Sequence, residues 1–98
     1  MEEKRFPPEG ELVVDLREPY AFECGSIPGS VNIPLSDIRR LYTLPRDKRL
    51  CVVCQIGEIS QEIAELLRDA GYDAYSLEGG WRWYCKTYLA PKAAEALE

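Results

Sequence analysis

Leu50-Cys51-Val52-Val53-Cys54 is an unbroken apolar run, β-branched at its centre, set between Arg49 and Gln55. It is short for a helix and has no polar alternation, so it reads as a strand covered on both faces. A strand of that kind needs parallel neighbours and a layer of helices above and below. The rest of the chain supplies them in alternation. Leu12-Val13-Val14 predicts a strand, and Pro19 opens a short helix through Tyr20, Ala21, Phe22 and Glu23. Gly25, Pro28 and Gly29 mark a loop, and Val31-Asn32-Ile33 a second strand. Ser36 caps a helix carrying Ile38, Leu41 and Tyr42 until Pro45 stops it. After a loop from Gln55 to Ile59, Ser60 opens a helix with Ile63, Ala64, Leu66, Leu67 and Ala70 on its inner side and Gly71 at its end. Asp73 to Ser76 is a strand, Leu77 to Gly80 a turn, and Trp81 to Leu89 a last helix before Pro91. The expectation is an α/β fold, a small parallel sheet with helices on both faces, in one domain spanning 1–98, with its core at about 11–90.

Composition narrows the chemistry. None of the 98 residues is histidine, which excludes Ser-His-Asp and Cys-His catalysis and every His-containing metal site. The net charge of −5 and the scattered Lys and Arg argue against nucleic acid and against anionic membranes as partners. The longest apolar run falls far short of the roughly 20 residues that cross a bilayer. The start, Met1 to Pro8, lacks the apolar stretch of a signal peptide, so a cytoplasmic protein is expected, and Leu97-Glu98 resembles a vector-derived scar.

Cys24, Cys51, Cys54 and Cys85 could form a disulfide framework, but without a secretion signal and with an apolar core available, free thiols are the expectation. The Cys51-x-x-Cys54 spacing belongs to redox and zinc sites as well. A zinc set would need Cys24 and Cys85 too, and a redox pair would sit at a helix start, whereas Cys51 lies within a strand. No metal site is expected. Cys51 reads as a buried structural cysteine and Cys54 as one exposed at the strand's end.

In parallel sheets, ligands bind at the carboxyl ends of the strands. Cys54 and the loop Gln55-Ile56-Gly57-Glu58-Ile59-Ser60 are placed there, facing the start of the next helix. The positive end of a helix dipole and unpaired amides favour thiolate over thiol, so such a cysteine can be a nucleophile without an imidazole. Gly57 allows the loop to wrap its amides round the sulfur as an anion nest. A plain core cysteine is the competing reading of Cys54.

Three segments give the chain a family resemblance. Val13-Val14-Asp15-Leu16-Arg17-Glu18-Pro19, continuing to Phe22, Gly25 and Ile27-Pro28-Gly29-Ser30-Val31-Asn32-Ile33-Pro34, is the first. Val53 to Ser60 is the second and Leu77-Glu78-Gly79-Gly80-Trp81 the third. In this order and spacing they resemble the single-domain rhodanese sulfurtransferases, from Leu12 to about Tyr88. The resemblance implies a small parallel-sheet rhodanese-like domain. It also implies a ping-pong sulfur transfer in which Cys54 becomes a persulfide, held by the amides of Gln55 to Ser60, and no cofactor. The partners implied are a small sulfur donor and a thiol or cyanide acceptor, with a partner protein as a further possibility. Asp15 and Arg17 resemble the family's structural polar pair beside the site.

The loop departs from relatives that use thiosulfate, which often carry a cationic or hydroxyl side chain where this chain has Gln55, Ile56, Glu58 and Ile59. Glu58 opposes an anionic donor where it faces the site, with a side chain turned out to solvent as the competing reading, and Ile56 and Ile59 suit a polysulfide or a persulfide better. Other readings are a weakly catalytic sulfur-carrier or protein-binding module, docked through Trp81, Trp83, Tyr84 and Tyr88, and a thiol switch in which Cys24 resolves Cys54. Ser60 at the arginine position argues against a cysteine phosphatase of the Cys-x₅-Arg type, because the phosphate clamp is missing.

Overall fold

The computed structural model describes residues 6–96; the signal-peptide reading of Met1 to Arg5 and the scar reading of Leu97-Glu98 lie outside the described residues. In chain order the elements are β1 (Glu11–Asp15), α1 (Pro19–Cys24), β2 (Val31–Asn32), a 3-10 segment (Leu35–Thr43), β3 (Arg49–Val53), α2 (Glu58–Asp69), β4 (Ala74–Ser76), α3 (Gly80–Tyr84), a π-helical turn (Cys85–Leu89) and α4 (Ala90–Ala96). The strands form one parallel sheet in the order β2-β1-β3-β4. The apolar run from Leu50 is therefore central, pairing Val13 with Cys51 on one side and Cys51 with Tyr75 on the other.

Alternate residues of β1 and β3 point to opposite faces, and each face has its own core. On one, Val14, Leu50 and Val52 pack with Leu16, Ile33, Leu41 and the α2 residues Ile63, Ala64 and Leu67. On the other, Val13, Cys51 and Val53 pack with Ile27, Leu77 and Tyr84, with Phe6, Trp81 and Tyr88 at the margin. Helices on both faces follow from this division. The aromatic stripe of the last helix belongs mostly to the second core: Tyr84 is buried and stacks on Trp81 at 5.5 Å and on Tyr88 at 4.9 Å between ring centroids.

Four expectations are corrected. The segment after β2 is not an α-helix capped by Ser36; it is 3-10 from Leu35, begins after Pro34 and kinks at Asp37. Ile38, Leu41 and Leu44 recur every third residue, the period of a 3-10 helix, and that period is what lays all three on the first core. The helix α2 starts at Glu58, not Ser60, because Gly57 turns left-handed (φ 99°) and acts as its N-cap. The last helix runs past Pro91. A π turn precedes it, with the Ala90 N–H bonded to the Cys85 carbonyl, so Pro91 falls in the first turn of α4, where a missing N–H and the ring are tolerated. Finally, Cys54 is buried, only 5% exposed, because the following loop and the first turn of α2 fold over it.

Candidate active site

Cys54 is the first residue beyond β3, at the carboxyl edge of the sheet and at the mouth of α2. Its Sγ accepts the Gly57 N–H at 3.1 Å and the Ser60 N–H at 3.4 Å. The Ser60 hydroxyl lies at 3.4 Å from the same sulfur. These are amides left without intrahelical partners at a helix start, and they surround an atom that carries negative charge when ionised. Burial pushes the Cys54 thiol up, but the Ser60 hydroxyl and the Ser60, Gly57 and Ile56 amides outweigh it, and the thiol ends below its ordinary value.

The amides point inward because the carbonyls on the other side of the loop are held from outside. Trp81 donates its N–H to the Cys54 carbonyl at 2.9 Å, and Arg82 donates to the Gln55 carbonyl at 3.1 Å. The first turn of α3 thus grips the back of the loop whose front faces the sulfur. Gly80 makes that approach possible: it has φ 58°, and a Cβ on it would lie 2.3 Å from the Cys54 carbonyl oxygen. Gly57, at φ 99°, has no room either, since its Cβ would meet the Gly79 nitrogen at 3.1 Å.

A cleft of about 430 Å³ opens beside Cys54. One wall is Gln55 and Ile59; the other is the segment after β1 with Leu16, Arg17 and Glu18, with Tyr20, Ala21 and Leu35 at the rim. Arg17 is held by Asp15 through a pair of nitrogen-oxygen contacts, Nε to Oδ1 at 3.1 Å and Nη2 to Oδ2 at 2.9 Å. It also donates to the Gly25 carbonyl at 2.6 Å and lies 4.5 Å over the Trp81 ring. Its charge is committed to Asp15, and its place is fixed. Asn32 steadies the same segment by donating to the carbonyls of Asp15 and Arg17.

Of the residues that the sequence places at the site, Cys54, Gln55, Ile59 and Arg17 line the cleft. Gly57 and Ser60 are buried with their amides on the sulfur, and Asp15 is buried behind Arg17. Ile56 and Glu58 are exposed and stand outside the cleft lining. The acidic side chain in the wall is Glu18, which the sequence reading passed over. Two more residues were missed as parts of the site: Gly80, taken as a turn glycine, and Ser76, whose hydroxyl lies 2.6 Å from that of Ser60. All four cysteines are free, Cys24 exposed and Cys51 and Cys54 buried. Among the described residues no cluster of three or more His, Cys, Asp or Glu could hold a metal ion, and no helix is long and apolar enough to cross a membrane.

Residues 3–87 match the family model described as a rhodanese-like domain. The chain is 40% identical over 97 residues to the thiosulfate sulfurtransferase GlpE of Pseudomonas syringae pv. syringae, covering 87% of this chain and 90% of that protein. It is 39% identical over 71 residues to a tRNA sulfurtransferase of Pyrobaculum aerophilum, covering 71% of this chain and 15% of that one. Among solved structures, a rhodanese-related protein from Thermoplasma volcanium superposes with a TM-score of 0.74 at 37% identity over 81% of each chain. The reduced CoADR-RHD of Bacillus anthracis superposes at 0.72 with 38% identity, over 78% of this chain and 14% of that one.

Proposed function

Because this chain belongs to the rhodanese-like domain family, whose relatives here are sulfurtransferases, we propose that Cys54 carries a sulfane sulfur between a donor and a thiol or cyanide acceptor. In the first half-reaction the Cys54 thiolate attacks the terminal sulfur of the donor. The new S–S bond takes the thiolate electron pair, the donor's S–S bond breaks, and its electrons leave with the shortened donor. In the second, an acceptor thiolate or cyanide attacks the outer sulfur of the Cys54 persulfide and Cys54 leaves as thiolate. Nothing in the cycle needs an imidazole, since the leaving and attacking atom is an anion that the loop amides hold in both half-reactions. The observation that supports this most is the sulfur's contact with the Gly57 and Ser60 amides at the mouth of α2.

The cleft favours a donor less charged than thiosulfate. Its apolar lining includes Leu16, Ile59 and Leu35, its carboxylate is Glu18, and its guanidinium is neutralised by Asp15. A compact dianion such as thiosulfate meets the Glu18 charge with little to offset it, whereas an organic persulfide carries a single charge at its sulfur and a polysulfide spreads its charge over a longer apolar chain. A second reading, a sulfur carrier served by a partner protein, is supported by the exposed apolar side chains of the cleft, Tyr20 at 72% and Ile59 at 46%. Free cysteines suit a reducing, cytoplasmic compartment.

Intact mass after incubation with polysulfide and, separately, with thiosulfate tests the proposal. The wild type gains one sulfur from polysulfide and less from thiosulfate, and Cys54→Ala gains none. Transfer at full rate by Cys54→Ser with every donor tried would sink it.

A further inference from the structure

Ser76 lies on the edge strand β4, sixteen residues from Ser60 in the chain, yet its Oγ is 2.6 Å from the Ser60 Oγ. It is half-buried, and its other neighbour is the Gly57 carbonyl at 3.5 Å. On its outer side it borders a second cleft of about 480 Å³, with Gln61, Glu65, Arg68 and Glu78 in the walls. The chain of atoms is continuous: Cys54 Sγ, Ser60 Oγ, Ser76 Oγ, Gly57 carbonyl.

A hydroxyl has one proton to donate, so this chain has two consistent arrangements. With Cys54 as thiol, the S–H donates to Ser60, Ser60 donates to Ser76, and Ser76 donates to the Gly57 carbonyl. With Cys54 as thiolate, its proton released to solvent, both hydroxyls turn: Ser76 donates to Ser60 and Ser60 donates to the sulfur. We propose that Ser76 is a positioning residue of this site, one that aims the Ser60 hydroxyl at the Cys54 sulfur and reverses with it when the thiolate forms. The Ser76 to Gly57 contact, the longest in the chain, is the one given up, and the short Ser60 to Ser76 contact is kept in both states. A donor into Ser60 makes its hydroxyl a better donor to the anion, so the thiolate gains more from Ser76 than the thiol does. The inference rests on Cys54 being the nucleophile, but it concerns thiolate formation and needs no sulfur transfer to be read.

The test is the pH dependence of Cys54 alkylation, followed on the Cys54 peptide by mass so that Cys24 and Cys85 do not interfere. Arg17 and Glu18, in the segment after β1, line the cleft beside the sulfur and Glu58 stands at the start of α2, while Glu65, Arg68 and Glu78 border the cleft next to Ser76. All are retained in every variant. Ser76→Ala raises the alkylation midpoint by roughly half a pH unit, about a threefold loss of thiolate below it. Ser76→Val does the same with a side chain that strands favour, which keeps the test open if alanine loosens β4. Ser76→Thr restores the hydroxyl and the midpoint. In a Ser60→Ala background Ser76→Ala adds nothing further, because Ser76 acts through Ser60. An unchanged midpoint in both Ser76→Ala and Ser76→Val, or an equal shift with and without Ser60, would overturn the proposal. Polysulfide loading of the same wild-type sample separates the two ideas: a low midpoint with no sulfur gained contradicts sulfur transfer and leaves the hydroxyl chain standing.

Discussion

Cys51 and Cys54 stand three residues apart, both are buried, and their thiols are driven in opposite directions. Cys51 points into the second core among Val13, Val53 and Tyr84. Burial pushes its pKa to about 11; Tyr75 and Arg49 act against the rise and Glu11 with it. Cys54, also desolvated, is brought below its ordinary value by the Ser60 hydroxyl and three amides. What separates a thiol that is raised from one that is lowered here is therefore not exposure but the supply of donors, and donors become available where a strand gives way to a helix.

The largest effect that would break this contrast comes from exchanging the two roles. Cys54→Ala abolishes persulfide formation outright, whereas Cys51→Ala leaves the sulfur gain intact and costs about 1 kcal/mol of unfolding free energy for the small cavity; mass spectrometry and urea melts read both. Next in size is the grip of α3 on the loop. Gly80→Ala forces its Cβ against the Cys54 carbonyl. It is expected to lower the Cys54 alkylation rate at neutral pH about tenfold and to cost about 1–3 kcal/mol, while Cys51 is unaffected. Retained Cys54 reactivity in a folded Gly80→Ala protein would show that the amides need no support from behind.

Stability against pH divides the pair again. Cys54 has a folded pKa lowered from 9.0, so the unfolded chain binds more protons in the window just below 9.0 and stability there rises with pH. Cys51 is raised, so its contribution is intact below 9.0 and is lost as pH climbs towards about 11. Melting curves of Cys54→Ala and Cys51→Ala against pH should depart from wild type with opposite slopes. The smallest effect is electrostatic. Glu18 lines the cleft and Glu58 does not, so Glu18→Gln is expected to raise kcat/KM for thiosulfate a few-fold and Glu58→Gln to change it less. The reverse order would return Glu58 to the site.

Much of this arrangement is legible in the residues. The apolar run from Leu50 announces a central strand, the spacing of Ile63, Ala64 and Leu67 announces the inner face of α2, and a glycine between strand and helix announces a loop of amides. Local periodicity carries that information. The 3-10 segment was legible too, in the three-residue recurrence of Ile38, Leu41 and Leu44, but a cap-like serine and a proline stop favoured the commoner helix. Pro91 reads as a stop because the π turn that accommodates it leaves no mark in composition. Other contacts are not local at all. Ser76 meets Ser60 only because β4 is placed beside β3, and Gly80 meets the Cys54 carbonyl only because α3 folds back over the loop. Glu18 enters the cleft because Arg17, tied to Asp15 and Gly25, fixes the segment that bears it.

The contrast between the two cysteines is tested most directly by alkylating the native protein across a pH series and following the Cys51 and Cys54 peptides separately by mass. Cys54 is expected to titrate below its ordinary value, held there by the Ser60 hydroxyl and the loop amides, and Cys51 to be pushed by burial up to about 11. A Cys54 midpoint at or above 9.0, or two cysteines that titrate together, would contradict the claim that the amides at the mouth of α2 make Cys54 the reactive thiol.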